Sequence, residues 1–412
     1  MKSDLRSRLW LFALALVVPA VLNGPLALAA SPAGKMASAV VRPATQGKVA
    51  WRFKVQANYI DHRADVGQDG TVYFNDSSGF LYALTPDGAL KWIYNGHGGG
   101  SQGPTVVGPD GTIYFGTASL TAIHAVNPDG TRKWIFKANK SQGPIGGPGV
   151  GPDGNIYAVF DVAGRFGAVS LTPAGTLRWN TQGQPRVFEY GQLGRELVFG
   201  GGNVYFTSTY TGDVWAFDLD TGHQRFVVNV GRAGQAAAAK DGGVLVPTQL
   251  QPRLNAFSPS GKLEWQFFGD EHNTTNDLSA PDVDRNGRIY IDRNLSELYS
   301  LTPSPSVRWI SPSLLPQGPI GGPIVSPSND LVLIGGQPTY GEPGMIQAFA
   351  ASDGAPLWQI SIPKERDGTC AVPYARPRFT PDGTRAYIPA VQLCEAPKKY
   401  HSWLYAIDIP KP

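Results

Sequence analysis

Apolar residues in this chain fall in short aromatic and β-branched runs, broken at regular intervals by Gly, Pro, Asn and Asp. Such runs bounded by turn residues read as strands, and Asp-Gly or Asn-Gly supplies the positive φ of tight hairpin turns. Examples are P-D-G-T-I-Y-F at 109–115, P-D-G-N-I-Y at 152–157, R-N-G-R-I-Y-I at 285–291 and P-D-G-T-R-A-Y-I at 381–388. The pattern predicts an all-β protein built of hairpins.

A second hairpin follows each such turn. It reads L-Y-A-L-T-P-D-G before Trp92, I-H-A-V-N-P-D-G before Trp134, L-N-A-F-S-P-S-G before Trp265 and I-Q-A-F-A-A-S-D-G before Trp358. Trp51, Trp92, Trp134, Trp179, Phe226, Trp265, Trp309 and Trp358 recur at intervals of 41, 42, 45, 47, 39, 44 and 49 residues. A small residue (Ala83, Ala125, Ser170, Ala256, Ser300) lies nine positions before its aromatic, and Ala216 and Ala348 lie ten before theirs. Two hairpins per repeat give four strands, and four strands per repeat of this length make a propeller blade.

The small-residue phrase occurs an eighth time, at Leu404-Tyr405-Ala406-Ile407-Asp408, with no Trp-bearing strand after it. Lys48-Val49-Ala50-Trp51-Arg52-Phe53 has that strand's character and no blade before it. The chain is therefore expected to be an eight-bladed β-propeller over residues 48–410. Its N-terminal strand is expected to complete the last blade and remove an exposed edge.

Composition narrows the picture. The 412 residues include 50 Gly and 35 Pro, far from the composition of a helical protein. At 42% hydrophobic and only 16% charged, the chain is not disordered either. With 35 basic and 32 acidic residues there is no concentrated positive surface, so nucleic acid is not an expected partner. Lys2, Arg6 and Arg8, the apolar run Leu9–Leu22 and the small-residue run Ala27-Leu28-Ala29 predict a secretory signal peptide over residues 1–30. Residues 31–47 read as a flexible leader. The apolar run is short for a membrane span, so no transmembrane segment is expected after cleavage, and the mature chain is expected in the periplasm or secreted. Cys370 and Cys394 are the two cysteines, and in an exported chain they are expected to pair. No C-x-x-C or H-E-x-x-H spacing points to a metal.

The phrase A-x-D-x-x-T-G-x-x-x-W resembles the pyrroloquinoline-quinone-like (quinoprotein) propeller repeat. Ala216-Phe217-Asp218-Leu219-Asp220-Thr221-Gly222, followed by Phe226 in place of Trp, is the nearest copy. The resemblance implies that each Trp docks against the neighbouring blade, a role that carries over to Trp92, Trp134, Trp179, Trp265, Trp309 and Trp358. Quinone-dependent dehydrogenases of the family carry a vicinal Cys-Cys disulfide, calcium ligands and long insertions, from which this chain departs. A non-catalytic relative is the scaffold lipoprotein of the outer-membrane barrel-assembly machinery; this chain has no lipidation cysteine. No cofactor is expected, with pyrroloquinoline quinone and calcium as the alternative.

In such a ring the Asp-Gly turns lie on one face. The blade-to-blade loops and the loops joining strands two and three lie on the other, where variation in repeat length collects. That variable face is expected to carry the candidate binding residues. They are His62 and Arg63 beside Asp61; Arg186, Glu189 and Tyr190; His272 and Asn276 beside Glu271 and Asn273; Asp292 and Arg293; and Arg366 and Asp367 beside Glu365. Around a channel mouth such residues suit an anionic or polyhydroxyl ligand, a protein partner, or acid–base chemistry. Each taken singly reads first as an ordinary solvated loop residue. No spacing among them defines a triad, so no catalytic residue is assigned. Two copies of Q-G-P-I-G-G-P, at 142–148 and 317–323, lead into innermost strands and read as crowding at the axis or close approach to a ligand. The expected function is a monomeric exported propeller that binds a protein or small ligand without catalysis. A quinone-dependent oxidoreductase and a cofactor-free lyase or hydrolase with His62 or His272 as base are the alternatives.

Overall fold

The computed structural model describes residues 47–410 apart from 57, 61, 98, 101–102, 119–121, 138–146, 163–164, 182–195, 210, 250–251, 270–277, 294–296, 314, 316–320, 340, 365–369 and 393–400. The expected signal peptide and nearly all of the leader lie outside them.

Hairpin chemistry builds each blade from its inner edge outwards. In blade 2, Asp110 Oδ1 accepts the Thr112 N–H at 3.0 Å while Gly111 sits at φ 79°. The turn feeds Ile113–Thr117, which pairs antiparallel with Ala122–Val126 and then with Arg132–Lys137. The same Asx-turn forms at Asp69, Asp153 and Asp382. Among the described residues eight antiparallel sheets form, one per repeat: an eight-bladed β-propeller, as the repeat predicts.

The nine-residue spacing has a register behind it. Ala83 faces Trp92, Ala125 faces Trp134, Ser170 faces Trp179 and Ser300 faces Trp309 across strands three and four, each followed by a bulge. Where the turn is one residue longer, Ala216 faces Phe226 and Ala348 faces Trp358. A small residue is needed because the indole lies over the sheet and onto the Tyr of strand two. The Tyr73–Trp92, Tyr114–Trp134 and Tyr157–Trp179 ring centroids are 5.8, 5.7 and 5.7 Å apart.

Each indole also grips the next blade. Trp92 Nε1 donates to Pro128 O (3.0 Å), Trp134 Nε1 to Pro173 O (2.9 Å), Trp179 Nε1 to Leu219 O (3.0 Å) and Trp309 Nε1 to Ala351 O (3.3 Å). The ring lies flat on the glycine that ends the same turn: a Cβ on Gly130 would meet Trp92 at 2.9 Å. Trp358 rests in the same way on Gly47, which enters with the N-terminal strand. Blade 6 departs from the rule because its turn, T-P-S-P-S at 302–306, lacks the glycine. There Trp265 lines a cleft of about 370 Å³ beside Pro303, Lys240 and Glu264.

Closure follows the expected strand exchange. Lys48–Gln56 pairs antiparallel with His401–Asp408, from Lys48 opposite Asp408 to Gln56 opposite His401. Burial is divided into eight clusters, one at each blade junction. Val106, Tyr114 and Ile123 of blade 2, for example, meet Ile156, Ala158 and Val169 of blade 3. The axis itself is left to shorter inner strands and their lead-in residues.

Gly130→Ala tests the docking. A methyl group at φ 88° and pressed on Trp92 is expected to cost about 2–3 kcal/mol, read as a lowered urea midpoint. The loss should be smaller in Trp92→Ala, where the ring is absent and only the strain of the positive φ remains.

Candidate functional site

The registers of strands one and two define a common level around the axis. Asp65 pairs with Tyr73, Val198 with Tyr205, Asp282 with Tyr290 and Arg378 with Tyr387. Ala237 pairs with Leu245 at the equivalent place in blade 5. Two residues earlier in each blade, towards the variable face, stand Arg63, Pro104, Gly147, Glu196, Gln235, Ala280, Gly322 and Arg376 in order. Four blades thus place Gly, Ala or Pro at this level, and blades 1, 4, 5 and 8 place long polar side chains.

These polar residues meet across the channel. Arg63 Nε donates to Glu196 Oε1 at 2.8 Å, a bridge from blade 1 to blade 4. Arg376 Nη2 donates to Pro281 O (2.7 Å) and Pro323 O (3.2 Å) and lies 3.1 Å from Asp282 Oδ1, tying blade 8 to blades 6 and 7. Arg378 Nε lies 2.9 Å from Asp65 Oδ1. Asp65 and Asp282 occupy equivalent positions and act alike: each accepts the backbone N–H of the next blade's inner strand, Val107 at 2.9 Å and Val325 at 2.8 Å. His62, buried beside Arg63, accepts the Gly103 N–H through Nε2 at 2.9 Å.

Electrostatics keeps the central pair charged. Burial opposes charge on Arg63, yet Glu196 and Asp65 outweigh it and hold the guanidinium above its ordinary value. Burial likewise raises the Glu196 carboxyl, but Arg63 and Arg376 bring it below the usual range. For Asp282 burial prevails over Arg376, and its carboxyl is raised.

Of the residues expected at the site, His62 and Arg63 reach this axial cluster. Asp292 and Arg293 end the second strand of blade 6, where alternation sends their side chains to opposite faces. Arg293 Nη1 lies 3.1 Å from Glu297 Oε2, which also accepts the Tyr299 hydroxyl at 2.8 Å. Asp292 is fully buried, its Oδ1 has no hydrogen-bond partner, and burial, with Glu297 adding, pushes its pKa up to about 8. Arg186, Glu189, Tyr190, His272, Asn276, Arg366, Asp367 and Cys394 lie outside the described residues. Cys370 is buried at the edge of blade 8, and no described cysteine is free.

Glu196, Gln235, Asp282, Arg376 and Arg378 escape a reading of loops. Their signal is positional: a long polar residue at, or two places before, the inner-strand position where other blades carry Gly, Ala, Pro or Val. Gly321 and Gly322 of the second Q-G-P-I-G-G-P copy answer to crowding. A Cβ on Gly321 would meet Arg376 N at 2.4 Å, and one on Gly322 would meet Ala280 O at 2.3 Å.

The cluster does not fit a calcium-assisted quinone site. Calcium takes six to eight oxygen ligands, whereas Glu196, Asp282 and Asp65 each already face a guanidinium. Among the described residues no group of three or more His, Cys, Asp or Glu could hold a metal ion.

Blade order, indole docking and ring closure define a closed β-propeller with a charged axial ring. The family model described as outer membrane protein assembly factor BamB matches residues 36–230, which take in the first four blades. Over that stretch its repeats are similar to those of the pyrroloquinoline-quinone-like propeller family. No curated protein matches it in sequence. Among solved structures it is similar to a catalytically inactive virginiamycin B lyase from Staphylococcus aureus with quinupristin, at 12% identity and TM-score 0.51, covering 87% of this chain and 99% of that one. BamB from Moraxella catarrhalis is similar at 12% identity and TM-score 0.45, covering 89% and 98%. At such identities the likeness concerns the fold alone. No helix among the described residues is long and apolar enough to cross a membrane.

Asp292 gives a pH signature. Its folded-state pKa of about 8 stands above the unfolded value of about 4, so the native state binds the extra proton between them. Stability is expected to fall as pH rises from about 4 to about 8 and to level off beyond. Asp292→Asn should flatten that slope and gain at least about 1 kcal/mol over wild type at pH 8.5 relative to pH 5, by urea denaturation.

Proposed function

We propose that this chain is an exported, non-catalytic propeller that takes a protein partner or a small polar ligand at the variable-face mouth of its axial channel. One observation carries the reading: the ionisable groups gathered at the axis are matched in pairs, Arg63 with Glu196, Arg376 with Asp282 and Arg378 with Asp65. Paired charges shape and rigidify a binding surface, whereas a general base or nucleophile needs a group left to react. Export follows from the leader pattern of residues 1–30, and pairing of Cys370 with Cys394 belongs to the same reading: one disulfide would pin the long loops of blade 8 beside the seam between the termini.

Cofactor-free lyase chemistry at the same mouth is the second reading, favoured by the fold shared with a lyase. Against it, His62 Nε2 already accepts the Gly103 N–H, which leaves His272 as the candidate base. In the quinone alternative, pyrroloquinoline quinone at 100 times its dissociation constant would add about 2.7 kcal/mol to stability.

The immobilised mature chain is expected to retain a partner from envelope extract, with retention cut at least about fivefold by Glu196→Gln, which leaves Arg63 without its counter-charge. The same preparation is expected to show no thermal shift and no dye reduction with added pyrroloquinoline quinone and calcium. Quinone-dependent dye reduction, or an elimination activity lost in His272→Ala, would overturn the non-catalytic reading.

A further inference from the structure

We propose that the axial ring binds a small carboxylate between the Arg63 guanidinium and the Gln235 carboxamide. The proposal rests on the reading of the channel mouth as a binding site and names the ligand chemistry of that site. Arg63 Nη1 and Gln235 Nε2 are both buried donors without a hydrogen-bond partner. Buried donors are rarely left unmatched, because each has given up its water.

The two stand at one level of the ring. Arg63 comes two residues before Asp65, which faces Tyr73, and Gln235 comes two residues before Ala237, which faces Leu245 in the equivalent pairing. Glu196 holds that level in blade 4, next to blade 5. The 2.8 Å bridge to Glu196 therefore draws the Arg63 guanidinium across the channel towards blade 4, the neighbour of the blade that carries Gln235.

The unmet groups choose the ligand. Both are N–H donors, so the guest must supply acceptors, and a carboxylate offers two oxygens to two donors. The bridge to Glu196 uses Arg63 Nε and leaves Nη1 for a planar oxyanion. Arg376 is no competitor, since its Nη2 is committed to Pro281 O, Pro323 O and Asp282. A cation would find the axial carboxylates already ion-paired, while a monoanion meets a cluster whose three pairs cancel. The Arg63 and Glu196 side chains keep 19% and 17% of their surface exposed.

Acetate is the probe. Titrated into the full mature chain at constant ionic strength against chloride, it should bind saturably, at least about tenfold tighter than neutral acetamide. Gln235→Leu, and the near-isosteric Gln235→Glu, should each weaken acetate at least about fivefold while leaving the melting temperature without acetate at or above that of wild type. A Gln235 that merely packed would lower that temperature and leave acetate binding alone. Acetate indistinguishable from chloride, acetamide equal to acetate, or wild-type acetate affinity in Gln235→Glu would each overturn the proposal; should one variant not fold, the other decides. Partner retention from envelope extract, measured in parallel, separates the two readings. Retention without acetate binding removes the carboxylate site alone, and acetate binding without retention leaves the site and removes the protein partner.

Discussion

The structure depends on the seating of an indole from one blade on the turn glycine of the next. That contact does three things at once. The Trp Nε1–H satisfies a turn carbonyl, the ring covers the Tyr of its own blade, and the glycine, already required at positive φ for the turn, supplies the flat surface that any Cβ would destroy. Repeated at seven of the eight junctions, with Phe226 in place of an indole at one, it joins marginal four-stranded sheets into one body, since a sheet alone has nothing to bury its faces against. Closure by Lys48–Gln56 belongs to the same scheme, because it gives blade 8 both halves of the contact, Trp51 for Gly88 of blade 1 and Gly47 for Trp358 of blade 7.

With cohesion placed at the blade junctions, the axis is released from building a core. Four of the eight inner lead-ins are reduced to Gly, Ala or Pro, and the space they leave is spanned by Arg63, Glu196, Gln235 and Arg376. A bridge buried this deeply is weak evidence for stability, as the desolvation of two charges offsets much of their attraction. Its value lies in holding polar groups at fixed places across the channel, where partial burial makes an interaction with a guest count for more than it would in solvent. Burial away from the axis, at the end of blade 6's second strand, keeps Asp292 protonated near neutrality, and there the structure stores a group that destabilises the fold as pH rises.

Much of the fold was legible along the chain. The Asp-Gly turns, the small residue nine before each Trp and the missing eighth Trp are local or periodic features, and the sheet registers explain them residue by residue. The site was legible only in part. His62 and Arg63 stood out as polar residues in a loop, whereas Glu196, Asp282 and Arg376 looked like ordinary charges until strand pairing put them on one level. Blade 6 shows the converse: T-P-S-P-S breaks the turn rule, but only the packed structure turns that lapse into a cleft beside Trp265.

The division between the two has a physical basis. Turn geometry, hairpin register and repeat length arise from hydrogen bonds and packing among residues a few positions apart, so the amino-acid order alone was enough to define the blades, their number and the exchange that closes them. Arg63 and Glu196 are 133 positions apart, and their meeting depends on the radius and phase of the closed ring, which no single repeat encodes. Only tertiary structure could set a guanidinium from blade 1 against a carboxylate from blade 4 and leave Arg63 Nη1 and Gln235 Nε2 buried without partners.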